Sequence, residues 1–173
     1  MGTAAAPLRD PVGNLSVEAA RLATTADSTD LEALLAASRR EMADKRGGEV
    51  LTRLDQGAAD LPARARECLA SPDLTVGLGT IDGVPVGYGV MRISEAADGD
   101  PHAVVEELFV DPEARSVGVG EALMAFLVTE AEERGALGIE ATALPGDRAT
   151  KNFFEIQGMV ARTIVVHRWL DGR

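Results

Sequence analysis

A chain of 173 residues with 46% apolar content is long enough for one domain and too apolar for global disorder. Its formal charge of −11 argues against nucleic acid, whose phosphates demand a basic footprint, and against an anionic membrane surface. No run reaches the roughly 18–20 apolar residues of a membrane span, Met1–Ala6 lacks the regions of a signal peptide, and the single cysteine, Cys68, permits neither an intrachain disulfide nor a cysteine metal cluster, so a cytoplasmic protein is expected.

Residues 1–14 hold Ala, Pro, Gly and Asn without periodicity and read as a mobile tail ahead of a single domain over 15–173. Val17 to Thr24 is a predicted strand. Asp27, Ser28 and Thr29 are N-cap candidates for a helix with Leu31, Leu34, Leu35 and Met42 on its apolar side, fading by Gly47-Gly48. Residues 49–61 are ambiguous. Pro62 to Leu69 reads as a short helix with Pro in its first turn. Leu74 to Ile81 and Val84 to Ile93 are strands flanking Asp82-Gly83, a hairpin signal. A loop over 94–101 leads to a strand from Ala103 to Val110.

After Gly118 a long helix begins. Gly120, Leu123, Met124, Leu127, Val128 and Ala131 form one buried stripe, and Gly135 suits the C′ position. Gly138 to Leu144 is a short strand, Asp147 caps a helix to about Gln157, and Met159 to Trp169 is a last strand. This order gives an α/β fold with a mixed sheet. His102 and His167 match no ligand spacing and read as structural or surface residues, so no metal is expected.

The chemistry concentrates in Glu106-Glu107-Leu108-Phe109-Val110-Asp111-Pro112-Glu113-Ala114-Arg115-Ser116-Val117-Gly118-Val119-Gly120. A strand runs into a turn that opens a helix, whose free N–H groups and positive dipole end attract an anion. Gly118 and Gly120 remove side chains that would hold a diphosphate off the backbone. A tight turn with two packing glycines explains the same residues. No Lys-Ser/Thr follows Gly120, which excludes a P-loop, and Leu123 stands where a dinucleotide fold needs its third glycine.

The segment resembles the GNAT superfamily of N-acetyltransferases. The family's [QR]-x-x-G-x-[GA] motif is met by Arg115, Gly118 and Gly120, and its L-x-V-x-P by Leu108, Val110 and Pro112. Its second motif, N-x-x-A-x-x-F-Y-E-x-x-G-F, is similar to 148–159: Phe153, Glu155 and Gly158 match, Phe154 replaces Tyr, and Met159 replaces the final Phe.

The resemblance implies a mixed, mostly antiparallel sheet flanked by helices, and bound acetyl-CoA. The diphosphate would sit on the amides of Ser116, Val117, Gly118, Val119 and Gly120. The pantetheine would follow Leu108, Phe109 and Val110, with an N–H near Val110 polarising the thioester carbonyl. Ser116 and Val117 depart from the family's frequent Gly and basic residue, and Arg148 and Lys151 are candidate sources of charge. Asn152 and Phe154 would lie near the cofactor. The acceptor is a primary amine, and homodimers are common in such domains.

A carboxylate on the 103–110 strand is the expected base. Alternation puts Glu106 with Leu108 and Val110, and Glu107 with Phe109, so only one should line the cleft; the choice falls on Glu106. Phe154 cannot donate a proton to the departing thiolate, and water, Cys68, Thr150 or Asn152 are the substitutes. The competing reading is a CoA-binding domain without catalysis. Acceptor choice is assigned to 28–72 and to the loop at 94–101, with Arg39, Arg40, Glu41 and Asp44 as candidate lining.

Overall fold

The computed structural model describes residues 17–54 and 60–170. The tail expected over 1–14 lies outside the described residues. Five strands form one sheet in chain order: β1 (Glu18–Leu22), β2 (Leu74–Ile81), β3 (Val84–Glu95), β4 (Pro101–Val110) and β5 (Ile139–Ala141). Neighbours run antiparallel except β4 and β5, which are parallel. The helices are α1 (Ser28–Asp44), α2 (Gly48–Leu54), α3 (Leu61–Ala70), α4 (Val119–Glu133) and α5 (Arg148–Ile156).

The local chemistry explains the joints. Asp82 and Gly83 both take positive φ, 51° and 82°, as a two-residue turn between right-twisted strands requires. Asp27, at the N-cap of α1, turns its carboxylate back onto Arg21 of β1 at 2.6 Å and onto the Thr24 N–H at 2.7 Å. The Asp147 carboxylate accepts from the Thr150 amide at 3.1 Å and starts α5.

Two apolar layers enclose the sheet. Leu31, Leu34 and Leu35 of α1 with Ala65 and Cys68 of α3 cover Val76, Leu78, Tyr88, Val90 and Phe109 on one face. Leu127 and Ala131 of α4 cover Met91, Ala103 and Val105 on the other. Four glycines set how closely α4 approaches. Gly77 pairs with Gly89 and Gly79 with Gly87 across β2 and β3. A Cβ at Gly77, Gly79 or Gly89 would lie 2.8, 2.7 or 2.8 Å from Phe126, Val119 or Leu127 of α4, inside van der Waals contact. The glycines form a flat bed on which the helix rests.

Two expectations need correction, and within the ambiguous stretch the structure has α2 over Gly48–Leu54. The strand expected from Gly138 to Leu144 keeps only Ile139–Ala141. The strand expected from Met159 to Trp169 does not form: Val160, Ile164, Val165 and Val166 are 78, 86, 82 and 88% exposed. β-branched residues favour an extended chain, but a strand also needs a neighbouring ladder. Here the chain after Gly158 is exposed over 160–168, and Trp169 just beyond lies against the Arg53 guanidinium of α2 at 5.3 Å.

Candidate active site

Strand alternation predicts opposite faces for Glu106 and Glu107, and the structure overturns this. Ala103 and Val105 face α4, whereas Phe109 faces α1 and α3. An odd number of residues has been inserted between these faces. The pairing with β3 shows where: Val90 opposes Glu107, Met91 opposes Val105, and Glu106 opposes nothing. This is a β-bulge, which bends the strand and re-aims its side chains. Both carboxylates consequently emerge on the α1/α3 side, and both line the same cavity of about 410 Å³.

Arg64 of α3 joins the two. Its Nη2 donates to Glu106 Oε2 at 3.3 Å and to Glu107 Oε1 at 3.1 Å, and its Nε donates to Glu107 Oε1 at 3.3 Å. Tyr88 donates its hydroxyl to Glu107 Oε2 at 2.8 Å, and Arg39 of α1 lies 3.3 Å from that oxygen. Arg92 donates to Glu106 Oε1 at 2.6 Å. An ionised carboxylate has about four lone-pair positions. Glu107 meets four donors and is saturated; Glu106 meets two and is also the more exposed, 26% against 11%. Burial, with Glu107 adding to it, pushes the Tyr88 hydroxyl well above its ordinary value, so it stays protonated as a donor. Burial pushes the Cys68 thiol up to about 11 despite the nearby Arg64.

The cavity exists because two strands part. β4 and β5 pair only from Ala103–Ile139 to Val105–Ala141. Beyond the bulge, β4 keeps its edge over 106–110 while the other chain turns away through Thr142 and Leu144 to α5. Leu108, Ala141, Thr142, Leu144 and Phe154 line the wedge between them. The Asp111 N–H donates to Val86 of β3 at 2.8 Å. Alternation along the strand therefore turns the Val110 N–H and carbonyl toward the open side. The Val110 carbonyl is taken by Arg115 Nε at 2.8 Å.

Beyond Val110 the chain leads through 111–118 to the N-terminus of α4, whose residues do not line the cavity. Ser116 has φ 65° and Gly118, its N-cap, φ 112°. Two left-handed residues shape this turn, and the first helical turn leaves its own amides without intrahelical partners, which suits an anion. Gly118 serves by its φ. Gly120 serves differently from the expectation of open approach: a Cβ there would lie 3.2 Å from the Phe153 ring, so the glycine lets α5 dock on α4.

The remaining expected residues are dispersed. Arg115 stacks over Phe109, its guanidinium 5.8 Å from the ring centroid, and pairs with Glu41 of α1. Glu41 also binds Lys45 at 2.8 Å, and Lys45 binds Asp147 at 2.7 Å. Burial favours the neutral forms of all three, but the mutual pairing prevails: the carboxyls of Glu41 and Asp147 are lowered and the Lys45 ammonium is raised. Lys151 pairs with Glu155 on its own helix. Asn152, Arg148, Arg40 and Asp44 are exposed, and Phe154 is buried in the wedge wall. Thr150 spends its hydroxyl on Asp147 at 2.9 Å. The loop at 94–101 does not line this cavity; α2 does, through Leu51, Thr52 and Leu54.

Arg64, Lys45 and Ser38 were missed by the sequence reading. Each has a signal in hindsight: Arg64 lies between Leu61 and Cys68 on the inward stripe of α3, and Ser38 and Lys45 continue the stripe of Leu31, Leu34, Leu35 and Met42 on α1.

A model of the acetyltransferase (GNAT) family matches residues 35–159. No curated protein sequence matches the chain. Among solved structures, a ribosomal-protein-alanine N-acetyltransferase from Brucella melitensis biovar Abortus 2308 superposes with a TM-score of 0.65 at 19% identity, covering 88% of this chain and 100% of that one. The aminoglycoside N-acetyltransferase AAC(6')-Iy, in complex with CoA, gives 0.68 at 18%, covering 91% and 97%. A transcriptional regulator from Bacillus halodurans C-125 gives 0.68 at 20%, covering 89% and 100%. At these identities the likeness is one of fold.

Proposed function

This chain belongs to the GNAT acetyltransferase family, and from that premise we propose that it transfers an acetyl group from acetyl-CoA to a primary amine of a small molecule or protein, by direct attack in a ternary complex. One observation carries the reading. A β-bulge puts both carboxylates, Glu106 and Glu107, in the cavity where β4 and β5 part, and β4 leads on from them through Val110 to the turn that opens α4.

The chain's own groups divide the work. Amides of 116–120 and the α4 dipole hold the diphosphate. The wedge wall of Leu108, Leu144 and Phe154 takes the pantetheine arm. Acetyl-CoA supplies an activated thioester carbonyl and a thiolate leaving group. The Val110 N–H, facing the open edge, stabilises charge growing on that carbonyl oxygen. Glu106, with lone pairs to spare, accepts the amine's proton directly or through a water. Saturated Glu107 is a positioning residue, fixing Arg64 and through it Glu106. No side-chain acid is assigned to the thiolate: Tyr88 and Cys68 are buried, Thr150 is committed, and Phe154 carries no proton. A thiol of pKa near ~8.5 leaves without help.

That same Phe154 favours the second reading, a CoA-binding domain without transfer. Thermal unfolding with CoA, with ATP and NAD as controls, and thiol release from acetyl-CoA against an amine panel separate the two. Saturating CoA at 100 times its dissociation constant should add about 2.7 kcal/mol. A shift without thiol release supports the second reading. No shift, or an equal shift with NAD, defeats both.

A further inference from the structure

We infer that residues 160–168 are an arm by which two copies of this chain assemble, each arm pairing with the outer edge of β5 in the other copy. The inference concerns the sheet edge, not the cavity, and does not depend on acetyl transfer.

The arm has the residues of a strand and no ladder to join. Four large apolar side chains in it, Val160, Ile164, Val165 and Val166, stand almost wholly in solvent, as does Leu170 just beyond. An apolar run left in water in this way marks an interaction surface. Every residue of 160–168 is exposed, and none has a backbone hydrogen bond to another of the described residues. Their N–H and C=O groups, with the β-branched run Thr163, Ile164, Val165 and Val166, therefore offer a whole strand for pairing. The arm's own sheet does not take it up, and Trp169 lies against α2 instead. That sheet has an edge to receive it. β5 is the last strand and pairs with β4 alone, so its outer side is open among the described residues. Leu137, two residues before β5, is 76% exposed, and the Glu140 side chain within it 65%.

Charge and symmetry identify the partner as a second copy. Residues 159–170 hold Arg162 and Arg168 and no acid, a formal +2, which leaves −13 on the rest of the −11 chain. The arm is the basic part of an acidic molecule, and the body of another copy attracts it. Glu140 stands on the receiving strand, and Glu132 and Glu133 are exposed at the end of α4 that leads to it. The other edge strand, β1, carries Glu18 and Arg21 and no net charge. Two arms set antiparallel about Val165 would place Arg162 opposite Arg168, a like-charge pair that opposes pairing. In a two-fold dimer each copy gives an arm and takes one, so both apolar runs and both open edges are covered in one closed assembly. A partner of another kind would cover only one of the two surfaces.

The test uses the full chain and needs no ligand. Sedimentation at about 100 µM should give twice the 18.1 kDa mass of one chain. Hydrogen exchange at the same concentration should show the amides of 160–168 slowed about ten-fold or more relative to a Val165→Pro variant. Proline removes a ladder donor, and Val165 makes no backbone hydrogen bond within the single chain, so the variant should keep its helical circular dichroism and sediment as a monomer. Glu140→Arg reverses the charge on the receiving strand and should weaken the dimer about ten-fold. A wild-type monomer overturns the inference, and protection of 160–168 within that monomer would show the arm closing on its own sheet. A dimer in which 160–168 exchange freely, or one that Glu140→Arg leaves intact, has its contact elsewhere and overturns it as well. Mass and exchange are read on the wild type, so the outcome stands even where Val165→Pro does not fold.

Discussion

Glu106 and Glu107 are neighbours with opposite liabilities. Glu106 is partly exposed and holds open lone pairs, so Glu106→Gln should lower kcat/KM by roughly 10²–10⁴ while leaving unfolding within about 1 kcal/mol of wild type. Glu107 compensates Arg39 and Arg64 in a buried cluster. Glu107→Gln removes the charge that Arg39 and Arg64 share, although Arg64 keeps Glu106 at 3.3 Å, and should cost up to about 3–5 kcal/mol. Parallel kinetics and urea unfolding check both; a stable, inactive Glu107→Gln would exchange the two roles. Phe154→Tyr asks a different question. Phe154 is 8% exposed and lines the wedge. If the new hydroxyl reaches the sulfur, turnover rises and the gain disappears above the phenol pKa of ~10. If it points into the wall it is buried unpaired, costing about 1–3 kcal/mol with no gain in rate. Rate and melting temperature on one preparation give the answer.

At the scale of elements, the glycines decide more than the apolar stripes do. Gly120→Val would drive its side chain into Phe153, 3.2 Å from the Cβ position, and push α5 off α4. Overpacking of this kind costs about 1–3 kcal/mol. It should also weaken CoA binding, since Phe154 on α5 shapes the wedge. Thermal melts with and without CoA measure both; unchanged stability would mean that Phe153 yields freely. The same elements show what the sequence discloses. α1, α3, α4 and the β2–β3 hairpin were legible because each carries its own period and its own cap, as with Asp147 before α5. α2 was not, because Gly48 to Leu54 is too short to display a period. The failed strand after Gly158 had the right residues and lacked a partner, which no local pattern records. The site divided in the same way. The α4 turn was legible as Gly-x-Gly after a strand. The bulge at Glu106 was not, because an extra residue is defined by the strand opposite it. That one residue moved Glu107 into the cleft. Arg64 and Lys45 escaped because a charge on a helix suggests solvent until tertiary contacts show otherwise.

For the molecule as a whole, the acid limb of stability isolates the ion chain that ties α1 to the two ends of the wedge. Asp27 is held below the usual carboxyl range, chiefly by Arg21, and Glu41 and Asp147 are lowered by pairing that exceeds their burial. A lowered acid contributes stability above its unfolded pKa, and that contribution disappears as pH falls through the folded value. Lys45 has the opposite sign: its raised ammonium contributes below about 10.4 and the contribution is lost as pH rises through the folded value. Between pH 7 and pH 5 the Lys45–Glu41–Asp147 cluster is therefore fully charged. Below pH 5 its acids take up protons in the unfolded chain before they do so in the folded one. A global effect runs alongside: protonating acids on a chain of −11 relieves self-repulsion and favours the compact state. Absolute stability against pH mixes the two. The difference between wild type and Lys45→Met removes most of the global part, because that term is largely common to both proteins. Lys45→Met should cost about 1–3 kcal/mol at pH 7, as expected for losing charged hydrogen bonds in a partly buried cluster. The gap should stay level down to about pH 5 and narrow steadily toward pH 3, as Glu41 and Asp147 lose the charge that needed a partner. Urea unfolding at half-unit steps of pH measures it. Parallel curves down to pH 3 would show that Lys45 stabilises through packing of its alkyl stem, and that the chain across the wedge is not electrostatic in origin.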